Sequence, residues 1–142
     1  MVKQISVFVE NRPGRLHDIT ELLSKNNINI RALSIADTTD FGILRLIVDR
    51  PDEAEKLLRD AGQTVKCTQV IAIEIPDTPG GLSGALAHVR KAGVVIEYMY
   101  AFVGACSDNA MVILRLNEME RGIAALEKGE IKVLTAEQVY AL

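Results

Sequence analysis

The sequence predicts an α+β chain built from two diverged copies of one βαββαβ unit, each folding as a four-stranded antiparallel sheet with two helices on one face. Three observations predict it. ISVFVENRPGRLHDITELLSKNNINI aligns with IAIEIPDTPGGLSGALAHVRKAGVVI when Pro13 is set on Pro79, an offset of 66 residues that also puts Leu16 on Leu82 and Ile30 on Ile96. FGILRLIVDRPDEAEKLL aligns with NAMVILRLNEMERGIAAL at an offset of 68, so two extra residues fall in the second copy's central turn, GACSDN, where a surface loop takes them cheaply. Within each copy the apolar period switches between strand and helix at matching places.

Each copy opens with a half-buried strand: Ile5, Val7 and Val9 alternate with polar positions, as do Ile71, Ile73 and Ile75. After Pro-Gly the period becomes helical. Leu16, Ile19, Leu22 and Leu23 make one apolar stripe, and Leu82, Ala85, Leu86 and Val89 its counterpart. Asn26-Asn27 and Gly93 supply the left-handed backbone that commonly ends a helix. Two strands around a turn follow, 28–37 and 42–49, then 94–105 and 110–117, with Asp37-Thr38-Thr39-Asp40 and Ser107-Asp108-Asn109 as turn chemistry. The next helix starts at Pro51 and buries Ala54, Leu57, Leu58 and Ala61 before Gly62. Its counterpart has Asn117 and Glu120 in capping-box spacing and a stripe of Met119, Gly122 or Ile123, and Leu126. Closing strands are expected at 64–67 and 131–134, and Thr135 with Gln138 caps one last helical turn.

Domains are predicted at 1–68 and 69–142, and VKCTQVIAIEI joins them with no linker, which predicts a fixed mutual orientation. Units this small are near the lower limit for an independent core, and each leaves one sheet face bare. The copies are therefore expected to cover each other through sheet edges or open faces. Tyr98, Tyr100 and Phe102 share one face of a strand, and their counterparts Ala32, Ser34 and Ala36 are small. A large row against a small row suits either an interface or plain core.

Composition narrows function. A hydrophobic content of 49% excludes a disordered chain. A net charge of -3, with no Trp, argues against nucleic acid, which demands a basic surface. Neither a secretory leader pattern nor an apolar run near the roughly 20 residues of a membrane span is visible, so the expected location is the cytoplasm. Cys67 and Cys106 are isolated and read as reduced structural thiols. Catalysis needs a nucleophile with its base, a paired acid and base, or a metal cluster, and the sequence offers none. His17 and His88 stand at non-equivalent positions without a ligand at metal spacing. No enzyme activity, metal or cofactor is expected.

The chemically suggestive segments are the strand-helix turns Asn11-Arg12-Pro13-Gly14-Arg15-Leu16 and Asp77-Thr78-Pro79-Gly80-Gly81-Leu82. Proline fixes one backbone angle and glycine frees the next, so the helix's unpaired N–H groups are aimed outward, where the helix dipole favours a carboxylate. Asn11 or Asp77 would then meet an α-amino group. The alternative is a tight helix entry with no ligand, and Arg12 and Arg15 read equally as carboxylate clamps or solvated charges.

Strand, Asx-x-Pro-Gly-x-Leu, helix, then Asn-Ile-Asn-Ile resembles the ACT domain family. ENRPGRLHDITELLSKNNINI carries the resemblance in the first copy and IPDTPGGLSGALAHVRKAGVVIEYMY in the second. The resemblance implies a ferredoxin-like fold, pairing of ACT units, and a regulatory protein that binds an amino acid or similar effector at their interface. It implies contacts from Asn11, Gly14, Arg15, Leu16, Asn29 and Ile30 in the first copy, with Arg12 beside them. In the second it implies Asp77, Gly80, Gly81, Leu82 and Ile96. A homodimer is expected, with any regulated enzyme encoded separately; a scaffold that kept the fold and lost the ligand is the alternative. Arg15 becomes Gly81, which opens space, and Asn29 becomes Val95, so the two sites are expected to be unequal.

Overall fold

The computed structural model describes residues 1–37, 40–104 and 108–142. The two expected central turns, the two-residue insertion and Cys106 fall wholly or partly outside the described residues.

The first copy runs β1 (Val2–Glu10), α1 (Arg15–Lys25), β2 (Ile30–Asp37), β3 (Phe41–Val48) and α2 (Pro51–Asp60), and then enters β4 (Thr64–Pro76). The second runs from β4 through α3 (Gly81–Lys91), β5 (Ile96–Ala101), β6 (Asn109–Leu116), α4 (Met119–Lys128) and β7 (Lys132–Val133), with α5 (Ala136–Tyr140) behind it. All strand pairings are antiparallel, in the order β2-β3-β1-β4-β6-β5 with β7 also on β4.

β4 joins the halves. Thr64 to Val70 pair with β1, and Ile71 to Pro76 pair with β6. The expected closing strand of one copy and opening strand of the next are one continuous strand, which leaves no hinge between them. The sheet curls until its ends meet, where Ala32 bridges Phe102 and the Val103 N–H donates to the Arg31 carbonyl at 2.9 Å.

Alternation along the strands sorts side chains into three apolar layers. Ile5, Val7 and Val9 pack against Ile19 and Leu23 of α1 and Leu58 of α2. Ile71, Ile73 and Ile75 pack against Ala85 and Val89 of α3 and Leu126 of α4. The opposite faces meet in a middle layer that holds Val2, Ala32, Ile47, Val70, Tyr100 and Ile113. The open sheet faces thus cover each other, and α5 adds Val139 to that layer at one end. The Thr135 capping box forms as expected, with Thr135 Oγ1 accepting from the Gln138 N–H at 3.1 Å.

The aromatic row faces this middle layer. Phe102 bridges Ala32, the small counterpart of Tyr98 and not its own, which is Ala36; Tyr98 and Tyr100 converge on Gln4, which is fully buried. Tyr100 donates to Gln4 Oε1 at 2.7 Å, and Gln4 Nε2 donates to the Tyr98 hydroxyl at 2.8 Å. Burial, with Tyr98 adding to it, raises the Tyr100 phenol well above the usual tyrosine range.

Three sequence expectations need correction. Leu16 and Leu82 lie outside the core stripes, 41% and 37% exposed, because each sits in the first helical turn. Ala61 is the exposed C-cap of α2, so the stripe there is Ala54, Leu57 and Leu58. The capping box at Asn117 does not form: α4 is capped at Glu118, and Asn117 Oδ1 accepts from the Val95 N–H at 2.9 Å. Asp49 does the same in the first copy, accepting from the Asn29 N–H at 3.0 Å. A shared Asx device therefore fixes the start of the second strand in both copies.

Candidate functional site

The two Pro-Gly turns have the same shape. Gly14 and Gly80 are N-caps in the left-handed region, at φ 86° and 87°, a conformation glycine adopts without steric cost. Neither helix start has a side-chain cap. The charges around them differ. Arg12 pairs with Glu10, and the Arg15 guanidinium lies 3.9 Å from the same carboxylate. Two arginines against one glutamate leave this turn positive, whereas Asp77 is the charged residue of the second turn, 76–82. Asp18 in the first turn of α1 balances that excess, so the first helix start is close to neutral where the second is negative, and an anion is favoured at the first over the second.

Gly81 does not open space. A Cβ there would stand 2.1 Å from the Pro76 carbonyl oxygen, so the glycine permits close approach of helix to strand.

Between the first helix and second strand of each copy lies a groove, at the same place in both. In the first copy it has a volume of about 500 Å³ and is lined by Thr20, Ser24, Asn27, Asn29, Ile30 and Asp49 among others. In the second it is about 770 Å³, lined mainly by Leu82, Leu86, Arg90, Val94, Val95 and Ile96. Thr20 corresponds to Leu86, Ser24 to Arg90 and Asn29 to Val95 at the 66-residue offset. The first groove is hydroxyl and amide; the second is aliphatic.

Of the expected ligand contacts, Asn29 and Ile30 share the first groove, and Leu82 and Ile96 the second. Asn11, Arg12, Gly14, Arg15 and Leu16 lie on the adjoining turn or helix start and do not line the first groove; Asp77, Gly80 and Gly81 stand in the same relation to the second. Thr20, Ser24 and Arg90 are not among the sequence-predicted residues, and Leu86 is expected only in the apolar stripe of α3, although all four follow Leu16 and Leu82 at steps of four along one helix face. Asp49 could not be found that way, because it reaches the groove from the end of another strand.

Among the described residues, one group of potential metal ligands clusters, His17 with Asp18 and Glu21. All three are exposed on α1, where Lys25 pairs with Glu21 at 3.2 Å. Burial, and then Glu55, hold the Cys67 thiol above its ordinary value, the environment of an unreactive cysteine. No helix among the described residues is long and apolar enough to cross a membrane.

A family model described as "ACT domain pair" matches residues 1–141. The crystal structure of protein BT0572 from Bacteroides thetaiotaomicron is similar at 43% identity and a TM-score of 0.93, covering 99% of this chain and 96% of that one. The ligand-free regulatory subunit of aspartate kinase from Thermus thermophilus is similar in fold, at 17% identity and a TM-score of 0.66, covering 89% of this chain and 91% of that one. Its counterpart from Thermus flavus gives 16% and 0.60, covering 90% and 92%. No curated protein sequence matches the chain.

Proposed function

The chain belongs to the ACT domain-pair family, and from that premise we propose that it is a non-catalytic regulatory protein that binds an amino acid or similar small zwitterion in its helix-strand grooves. The recurrence of one groove in both copies, polar in the first and aliphatic in the second, is the observation that carries this reading. In the first copy the Thr20 and Ser24 hydroxyls and the Asn29 amide can donate to the carboxylate of an amino acid, and Asp49 can accept from its ammonium. Leu82, Leu86 and Val95 in the second copy suit an aliphatic side chain.

Both grooves are open; exposed Leu82 and Val95 line the second, and exposed Met99 lies on β5, the end strand whose start borders that groove. A second copy of the chain covering that edge, as a homodimer, would enclose the ligand. The ligand then changes affinity for a separately encoded enzyme through its differential affinity for two arrangements of the pair. The reading assigns this work to the cytoplasm, where Cys67 stays reduced.

A thermal-shift panel of the twenty amino acids tests it. Binding at 100 times the dissociation constant stabilises by about 2.7 kcal/mol, so one or a few amino acids should raise the melting point. A flat panel would favour a scaffold without a ligand.

A further inference from the structure

We propose that the open mouth of the middle layer is a second binding site, for a compact dianion carrying a phosphate or two carboxylates. The inward face of β1 runs from Val2 and Gln4, fully buried, through Ser6 to half-buried Phe8, so the layer opens toward Ser6 as it leaves α5. At that opening, strand register concentrates positive charge. Ser6 pairs with Arg45 on β3 and with Lys66 on β4, which sets two cations on either side of one hydroxyl. From the facing sheet, the register partners Tyr98 and Arg115 enter the same cleft, with Thr68 beside them. Its volume is about 270 Å³, just under the roughly 300 Å³ at which pockets for drug-sized ligands start, which limits it to a compact ligand.

The charges there are unbalanced. Among the described residues neither Arg45 nor Lys66 has a carboxylate within ion-pair distance, although Lys3, Arg50, Arg59 and Arg121 all do. Arg115 is partly used, donating to the Gln69 carbonyl at 2.8 Å with Glu97 3.6 Å from its Nε. Three cations thus face one glutamate, an excess of two positive charges in a chain whose net charge is -3. Arg45 lies over the Tyr98 ring, 3.8 Å from its centroid. Stacking occupies the face of the guanidinium and leaves its N–H edge for an oxyanion, the geometry that suits arginine to phosphate and carboxylate. Ser6 Oγ accepts from Gln4 at 3.3 Å and keeps its own proton to donate. A dianion would relieve the repulsion among the three cations and meet a ready set of donors. The site is separate from the helix-strand grooves, so its failure would leave the amino-acid reading standing.

Calorimetric titration of the full chain with inorganic phosphate and, separately, succinate tests the proposal, with sodium chloride at matched ionic strength as control. Saturable binding is expected, weakened by added salt and at least tenfold by Arg45→Gln. Lys66 is exposed on its strand, so Lys66→Gln should keep the melting temperature while producing the same tenfold loss. Tighter binding of phosphate would identify a phosphate ester as the class, and tighter binding of succinate a dicarboxylate. Heats no different from sodium chloride, or equal affinity in wild type and Lys66→Gln, would overturn the site.

Discussion

Gly81 and Gly84 sit one turn apart in α3, and a methyl group added to each meets opposite surroundings. At Gly81 it would run into the Pro76 carbonyl, backbone that cannot give way; at Gly84 nothing lies within 4 Å. Gly81→Ala should therefore destabilise by about 1–3 kcal/mol, the range for forcing atoms into closed space. Gly84→Ala should stabilise by about 1 kcal/mol, the difference in helix propensity. Urea denaturation of both variants checks the pair of signs. This contrast marks a limit of sequence reading. Two glycines three residues apart look alike on paper, and the position of a carbonyl from the preceding strand separates them. The same limit explains why Gly81 reads from sequence as added room beside the ligand turn, when it is the point at which that turn is closed.

Where β1 meets α2, one lysine holds two carboxylates. Lys3 Nζ lies 2.7 Å from both Asp52 Oδ1 and Glu55 Oε1, and Arg59 reaches Glu55 at 3.0 Å. Lys3, and after it Arg59, lower the Glu55 carboxyl from its ordinary 4.5 to about 2. Because the folded value is the lower one, the unfolded chain binds the proton more readily within that window. Stability from this contact is complete above about pH 4.5 and is lost as pH falls toward 2. Asp52 first, then Glu55, raise Lys3 above its ordinary 10.5, so its share is lost only as pH rises beyond that value. Urea midpoints measured from pH 6 to 2.5 should fall less steeply in Glu55→Gln than in wild type; equal slopes would mean the contact does not stabilise the fold. Elements of this kind were legible where a pattern repeats: alternation in β1 and β4, the stripe of α2, the Thr135 box and the absent linker that becomes one long strand. Their ends were less so. Asp49 and Asn117 bind the N–H groups of Asn29 and Val95, so β2 and β5 begin at Ile30 and Ile96, later than apolar content suggests.

At the scale of the molecule, the duplication provides what neither copy has alone. Each unit buries one sheet face under two helices, and the second face is covered by its sister across a layer that contains Gln4, Tyr98 and Tyr100. Bare sheet faces in small units made mutual cover readable from sequence; the partner of each aromatic was not, since it depends on how the sheet curls. The candidate grooves were half legible for a similar reason. Asn29, Ile30, Leu82 and Ile96 came from the resemblance to the ACT family, while Asp49 arrives from another strand through tertiary packing. The proposed function rests on a fixed pair of units that presents two unlike grooves to an amino acid. Backbone amide spectra recorded while titrating the amino acid that most raises the melting point test it directly. Saturating shifts should concentrate on Thr20, Ser24 and Asn29 or on Leu86, Arg90 and Val95. Shifts confined to other surfaces, or no saturable shift with any of the twenty, would contradict it.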